Sequence, residues 1–211
     1  SMTLDNVDFT AACTALSAFG DAAAVNVVNG STITAKGFCF GTNASTSDNY
    51  NVQITMTDSK IQASTDPSAL GTAMYLNVPG QLTIDNCTIQ GYAHGLFVRG
   101  GTAEIKNSTI TNTMNDGSLA NYFVQDWLTG NCVPLAALTL GNDGDAGYLY
   151  PTNVTLENTM VISAGDAADS YRAIYARSNP GEGKGVTLNC DADCHIDGRV
   201  EYYNPEQINT N

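Results

Sequence analysis

One short pattern recurs along this chain: an apolar residue, any residue, an apolar residue, any residue, Asn or Asp, two further residues, and an apolar residue. Ile54-Thr55-Met56-Thr57-Asp58-Ser59-Lys60-Ile61 follows it, as do residues 82–89, 103–110 and 154–161. Val186-Thr187-Leu188 opens a fifth copy that departs at Cys190, where Asn is expected, and residues 31–38 form a degenerate first copy. Period-two alternation sends every second side chain to one face of a strand. Asn tolerates the left-handed backbone that a sharp corner needs. A second alternating strand follows nearly every copy, through Met74, Leu76 and Val78, then Leu96 and Val98, Leu138 and Leu140, Ile174 and Ala176, and Val200 and Tyr202. Each unit therefore reads as strand, Asn corner, short strand, variable loop, strand and glycine-rich turn.

The intervals between units are irregular: 28 residues from Met56 to Ile84, 21 to Ile105, 51 to Leu156 and 32 to Leu188. A solenoid accommodates this, because only the strands stack while the loops swell outward. The corner amides are expected to lie one above another, buried, and hydrogen-bonded. Phe9, Ala12, Cys13, Leu16 and Phe19 recur at helical spacing, which predicts a short helix plugging the first coil.

With its Asn corners and stacked Ile, Leu and Val, the stretch 31–203 resembles the right-handed parallel β-helix, or pectin-lyase-like, superfamily. The resemblance implies an all-β, single-stranded right-handed solenoid of five to six coils. Residues 1–30 would form an N-terminal cap (short helix and lead-in strand), 112–134 a loop insertion, and 204–211 a tail or linker. The superfamily includes polysaccharide lyases and hydrolases, phage tailspikes and adhesin-like bacterial surface proteins, so activity has to be argued from sites.

Charge narrows the partners. Eight Lys and Arg against 21 Asp and Glu leave a formal charge of −13, which excludes a nucleic-acid binder and disfavours an anionic membrane surface. No apolar run reaches the ~20 residues that span a bilayer, and no basic-then-apolar export signal opens the chain. A polyanionic sugar would be repelled unless calcium or a local basic groove intervened, whereas a neutral glycan would not.

Six cysteines are few for this length. Cys190 and Cys194 bracket three residues and precede His195, but the second ligand pair of a zinc site is missing. A local disulfide and buried free thiols both remain open.

The polygalacturonase-like members of the superfamily carry an Asn-Thr-Asp stretch, paired aspartates, Gly-His-Gly and Arg-Ile-Lys; only Ala93-His94-Gly95 comes near. The pectate-lyase-like members imply acidic calcium ligands and an arginine or lysine base, for which Arg99 is the candidate. The alternatives are a solvated turn arginine and a surface-loop histidine. Gly141-Asn142-Asp143-Gly144-Asp145 is a calcium candidate through Asp143 and Asp145, without the distal Glu of an EF-hand. The insertion at 112–134 holds Tyr122, Phe123, Asp126 and Trp127, the single tryptophan. Aromatic faces beside carboxylates suit a sugar ring, and Tyr148 and Tyr150 follow on the next loop. The alternative is a lid packed onto the coils. The reading is a non-catalytic, extracellular or cell-surface, adhesin-like module, part of a longer surface protein, presenting loops to a glycan or host-surface ligand. It implies no cofactor beyond a possible calcium ion. A divergent β-helix lyase or hydrolase and a structural spacer are the alternatives.

Overall fold

The computed structural model describes residues 1–18, 22–42, 51–66, 70–77, 80–114, 123–126, 131–141, 151–164, 171–177, 185–203 and 208–210. Every regular element among them is a β-strand. The first turn of chain is β1 (Met2–Asp5), β2 (Asp8–Ala11) and β3 (Leu16–Ala18); the second is β4 (Ala24–Val28), β5 (Thr32–Ala35) and β6 (Phe38–Thr42). The third holds β7 (Val52–Thr57), β8 (Lys60–Ala63) and β9 (Thr72–Leu76), and the fourth β10 (Gly80–Asp85), β11 (Thr88–Gly91) and β12 (His94–Val98). The fifth runs through β13 (Gly101–Lys106) and β14 (Thr109–Asn112) to an inserted pair, β15 (Phe123–Asp126) and β16 (Asn131–Pro134), before β17 (Ala136–Gly141). The sixth is β18 (Thr152–Glu157), β19 (Met160–Ile162) and β20 (Arg172–Arg177). The seventh is β21 (Val186–Cys190), β22 (His195–Asp197) and β23 (Arg199–Tyr203), after which β24 (Ile208–Thr210) returns beside β21.

Corresponding strands of successive turns pair in parallel, giving three sheets. The first is β1-β4-β7-β10-β13-β18-β21-β24, the second β2-β5-β8-β11-β14-β19-β22, and the third β3-β6-β9-β12-β17-β20-β23. Three parallel sheets built turn by turn from one chain are the arrangement of a parallel β-helix solenoid. The β15–β16 pair is antiparallel and stands apart.

Register explains why the repeat is so strict. Val27, Met56, Ile84, Ile105 and Leu156 are in line across the first sheet. Ile33, Ile61, Ile89, Ile110 and Val161 are in line across the second, and all ten side chains are fully buried. Each contributes about 1.5–3 kcal/mol relative to exposure. A slip of one residue would turn a whole row outward.

The corner between the first two sheets is a left-handed residue in each of the first six turns: Asn6, Asn29, Asp58, Asn86, Asn107 and Asn158, all with φ between 44° and 56°. The residue that ends the corner is Ser31, Ser59, Cys87, Ser108 or Thr159 in turns two to six. Four of these side chains bond the carbonyl two positions back, in Thr57, Asp85, Lys106 and Glu157, and Ser31 bonds that of Val28. The corner amides are exposed rather than buried. Each chain reversal lies at the rim, where the Asn can serve both its neighbours and solvent.

Two further expectations are corrected. No N-terminal helix forms: Phe9 pairs with Ile33 in β2, Leu16 with Phe40 in β3, and the stacking begins at Met2. The helical spacing spans two short strands and the turn between them. Phe9 heads the row of isoleucines in the second sheet and, covered on one side, keeps 42% of its surface exposed. With the first two turns counted, the described residues make seven turns rather than five or six.

Candidate functional site

The three sheets differ on their outer faces. Outward residues of the first sheet, such as Gln53, Gln81, Thr83 and Glu104, are exposed, as the alternation requires. The middle strands of the third sheet are buried on both faces: β9, β12 and β17 contain no exposed residue. Small residues make this possible. Ala73 and Met74 both enter the main core, as do Ala137 with Leu138 and Ala173 with Ile174, so two consecutive residues turn inward before alternation resumes. At the equivalent Gly95 a Cβ would lie 2.6 Å from the Ala137 carbonyl oxygen and 2.8 Å from that of Thr111.

The outer side chains of this sheet form two rows. One is Tyr75, Phe97, Thr139, Tyr175 and Glu201; the other is Phe38, Thr72, His94, Ala136, Arg172 and Arg199. Phe38, Tyr75 and Phe97 make a small apolar cluster separate from the main core, with ring centroids 5.8 and 5.1 Å apart. The Tyr75 hydroxyl donates to Asn77 Oδ1 at 2.9 Å, and Arg99 Nη1 donates to the same oxygen at 2.9 Å. The Asn77 amide N–H is held by Thr42 Oγ1. Thr139, between Phe97 and Tyr175, is buried, and its hydroxyl has no partner among the described residues.

All four arginines of the chain lie on this sheet or directly after one of its strands: Arg99, Arg172, Arg177 and Arg199. Glu201 is the one carboxylate within its seven strands. Arg172 Nε donates to Glu201 Oε2 at 2.7 Å, and Arg199 donates to the same oxygen. Partial burial pushes the Glu201 carboxyl up, but the hydrogen bonds and charges of the two arginines outweigh it and hold it below its ordinary value. Burial raises the Tyr175 hydroxyl despite Arg177 nearby. The accessible end of the face is formed by Arg177, Arg199, Glu201 and Tyr203. The Arg177 guanidinium carbon sits 4.4 Å from the Tyr203 ring centroid, and 48% of Tyr203 is exposed.

The sequence candidates fall unevenly on this picture. His94 and Arg99 are both on the third sheet's outer side, 2% and 1% exposed, so neither is the solvated loop residue considered as its alternative. The His94 ring contacts the Pro134 carbonyl through Nε2 at 3.0 Å and Thr72 Oγ1 through Nδ1 at 3.5 Å. Tyr122, Trp127, Asp143, Asp145, Tyr148 and Tyr150 lie outside the described residues. Asp126 ends β15, paired with Asn131. Among the described residues no three His, Cys, Asp or Glu side chains gather as a metal site. Cys194 packs against the main core whereas His195, the first residue of β22, is exposed, so the two do not present a shared ligand set. Sequence reasoning missed this quartet, in which Tyr203 is exposed and Arg177, Arg199 and Glu201 are half-buried. Its signal was the confinement of every arginine to one strand position of the repeat.

The connections follow the same asymmetry. The first and second sheets are always joined by the short corner, whereas all long connections, such as 43–51, 64–71, 142–151 and 178–185, flank the third sheet. No protein-family model, no curated protein and no solved structure matches this chain.

Proposed function

We propose that this chain is a non-catalytic, extracellular or cell-surface module of the right-handed pectin-lyase-like kind that binds carbohydrate at the outer side of its third sheet. One observation carries the reading: every arginine and one end of every long connection adjoin that sheet, while the corner between the first two sheets is always short. Tyr203 supplies an exposed ring for stacking on pyranose C–H faces. Arg177 and Arg199 supply fixed donors for hydroxyl or carboxylate oxygens. The local arginine excess offsets the repulsion that a charge of −13 exerts on acidic sugars, so neutral and uronate-bearing glycans are both within reach. The carboxylate of Glu201 is engaged by two guanidiniums, which suits a positioning role better than proton transfer.

The test is a glycan array followed by calorimetry with the full chain, Tyr203→Ala, Arg177→Ala and Trp127→Ala. Binding that weakens at least tenfold in Tyr203→Ala, with the melting temperature unchanged, supports the reading. Binding lost only in Trp127→Ala would move the site to the insertion. No signal on neutral or acidic glycans would leave a spacer. Release of unsaturated or reducing ends from any polysaccharide would make the chain an enzyme.

A further inference from the structure

The last corner breaks the rule of the first six. Cys190 is in register with Leu156, and His195 with Met160. Four residues, 191–194, therefore bridge the first and second sheets where the preceding turn uses three. The left-handed Asn is gone. The Asp191 carboxylate accepts the Asn158 backbone N–H at 3.1 Å, a bond that a backbone carbonyl of the next turn accepts from Asn86 and Asn107. The new corner is a tight turn, closed by the Cys194 N–H on the Asp191 carbonyl at 3.4 Å and by the Asp193 N–H on Asp191 Oδ1 at 3.1 Å.

That turn folds the two thiols toward one place. Cys194 Sγ lies 3.3 Å from the Leu156 carbonyl oxygen, and Leu156 is the residue directly across the ladder from Cys190. In this structure both are free thiols that pack against the main core while remaining partly accessible. Cys39 and Cys87, by contrast, are buried at positions where neighbouring turns carry small or hydroxyl side chains, and each serves as a packing residue.

We propose that Cys190 and Cys194 form a disulfide that staples the terminal corner of the solenoid, in place of the Asn that locks the others. The reaction is exchange with a low-molecular-weight disulfide. One thiolate attacks a sulfur of the small disulfide and releases one small thiol. The second thiolate then attacks the mixed disulfide and releases the other. Two protein S–H bonds and one small S–S bond become one protein S–S bond and two small thiols. Burial and the neighbouring sulfur push the Cys190 thiol up to about 11, and burial raises Cys194 too. A thiol as basic as that of Cys190 leaves slowly, which slows reduction by attack on the Cys194 sulfur.

The experiment equilibrates the full chain in oxidised and reduced glutathione mixtures, quenches with acid, alkylates in denaturant and maps the peptides by mass spectrometry. The expected result is Cys190 and Cys194 joined and unalkylated, with Cys39 and Cys87 fully alkylated. Reduction should then lower the melting temperature by roughly 4–8 °C, from the loop-closure and size relations for a chain of this length. Cys194→Ser should melt like the reduced wild type and ignore reductant. Alkylation of both residues at every glutathione ratio, or linkage of either to another cysteine, overturns the proposal. If Cys194→Ser fails to fold, the wild-type peptide map decides alone.

Discussion

The Asn158 side-chain amide donates to Asn107 Oδ1 at 2.8 Å, although 51 positions separate the two residues. The same seam continues downward as Asn107 donates to Asp85 Oδ1 at 2.8 Å and Asn86 to Asp58 Oδ1 at 2.6 Å. The corners therefore form a column of side-chain bonds at the rim of the solenoid, independent of how long the chain wanders between them. A solenoid is held by nearest-neighbour interfaces, and this column makes each corner answer to the one beside it.

Asn107→Ala should be costly for two separable reasons. It removes the bonds to Asp85 and from Asn158, each worth about 0.5–1.5 kcal/mol. It also places alanine at a φ of 50°, a further ~1–2 kcal/mol. Urea unfolding is expected to show a loss of about 2–4 kcal/mol for Asn107→Ala and about half of that for Asn107→Gly, which accepts the backbone. Equal losses would mean that the left-handed conformation is not what the Asn provides.

Gly95→Ala tests the close approach behind the third sheet. Its Cβ would press on two carbonyl oxygens and on Ile110 Cγ2 at 3.0 Å, so overpacking should cost about 1–3 kcal/mol. Gly41, on the same sheet, has nothing within 4 Å of its added Cβ. Gly41→Ala should stay within about 0.5 kcal/mol of wild type. Chemical denaturation of the pair gives the contrast directly, and comparable midpoints would show that the sheet yields at Gly95.

Much of the architecture was legible because its causes are local. Alternation around Ile54, Leu82, Ala103 and Val154 fixes which side chains go inward, and Asn at the corner fixes where the chain turns. The first two turns were less legible. Phe9, Ala12, Cys13 and Leu16 imitate a helical stripe, and only pairing with β5 and β6 decides for strands. Ser59, Cys87, Ser108 and Thr159 form a further repeated position that was visible but not read, since its purpose is a bond to a carbonyl two residues back. The candidate site was the least legible. Which side of β9, β12 and β20 faces outward depends on the consecutive inward pairs Ala73-Met74, Gly95-Leu96 and Ala173-Ile174. That departure from alternation arises from how three sheets close around one core, and no single strand reports it.

Ile89 sits mid-row between Ile61 and Ile110 and is fully buried. Ile89→Ala should destabilise by about 2–5 kcal/mol, because the rigid stack above and below leaves little room to collapse into the cavity. Gln90, its neighbour on the outward side of β11, should tolerate alanine within about 0.5 kcal/mol. Thermal and urea melts of both variants check the ratio, and a mild Ile89→Ala would indicate that the turns shift to refill the space.

Glu201 makes the third sheet sensitive to acid. Burial alone would raise its carboxyl, yet Arg172 and Arg199 bring it below its ordinary value in the fold. A carboxylate depressed in the folded state stabilises above its unfolded pKa, near ~4.3. That contribution is lost as pH falls through the folded value. The wild type should therefore lose melting temperature below pH ~4 more steeply than Glu201→Gln, which keeps an acceptor for Arg172 without the charge. At pH ~7 the variant should be the less stable of the two, and the curves should converge in acid. Parallel curves across that window would mean that the two arginines and Glu201 gain nothing from ionisation, and that the carboxylate is held there by shape alone.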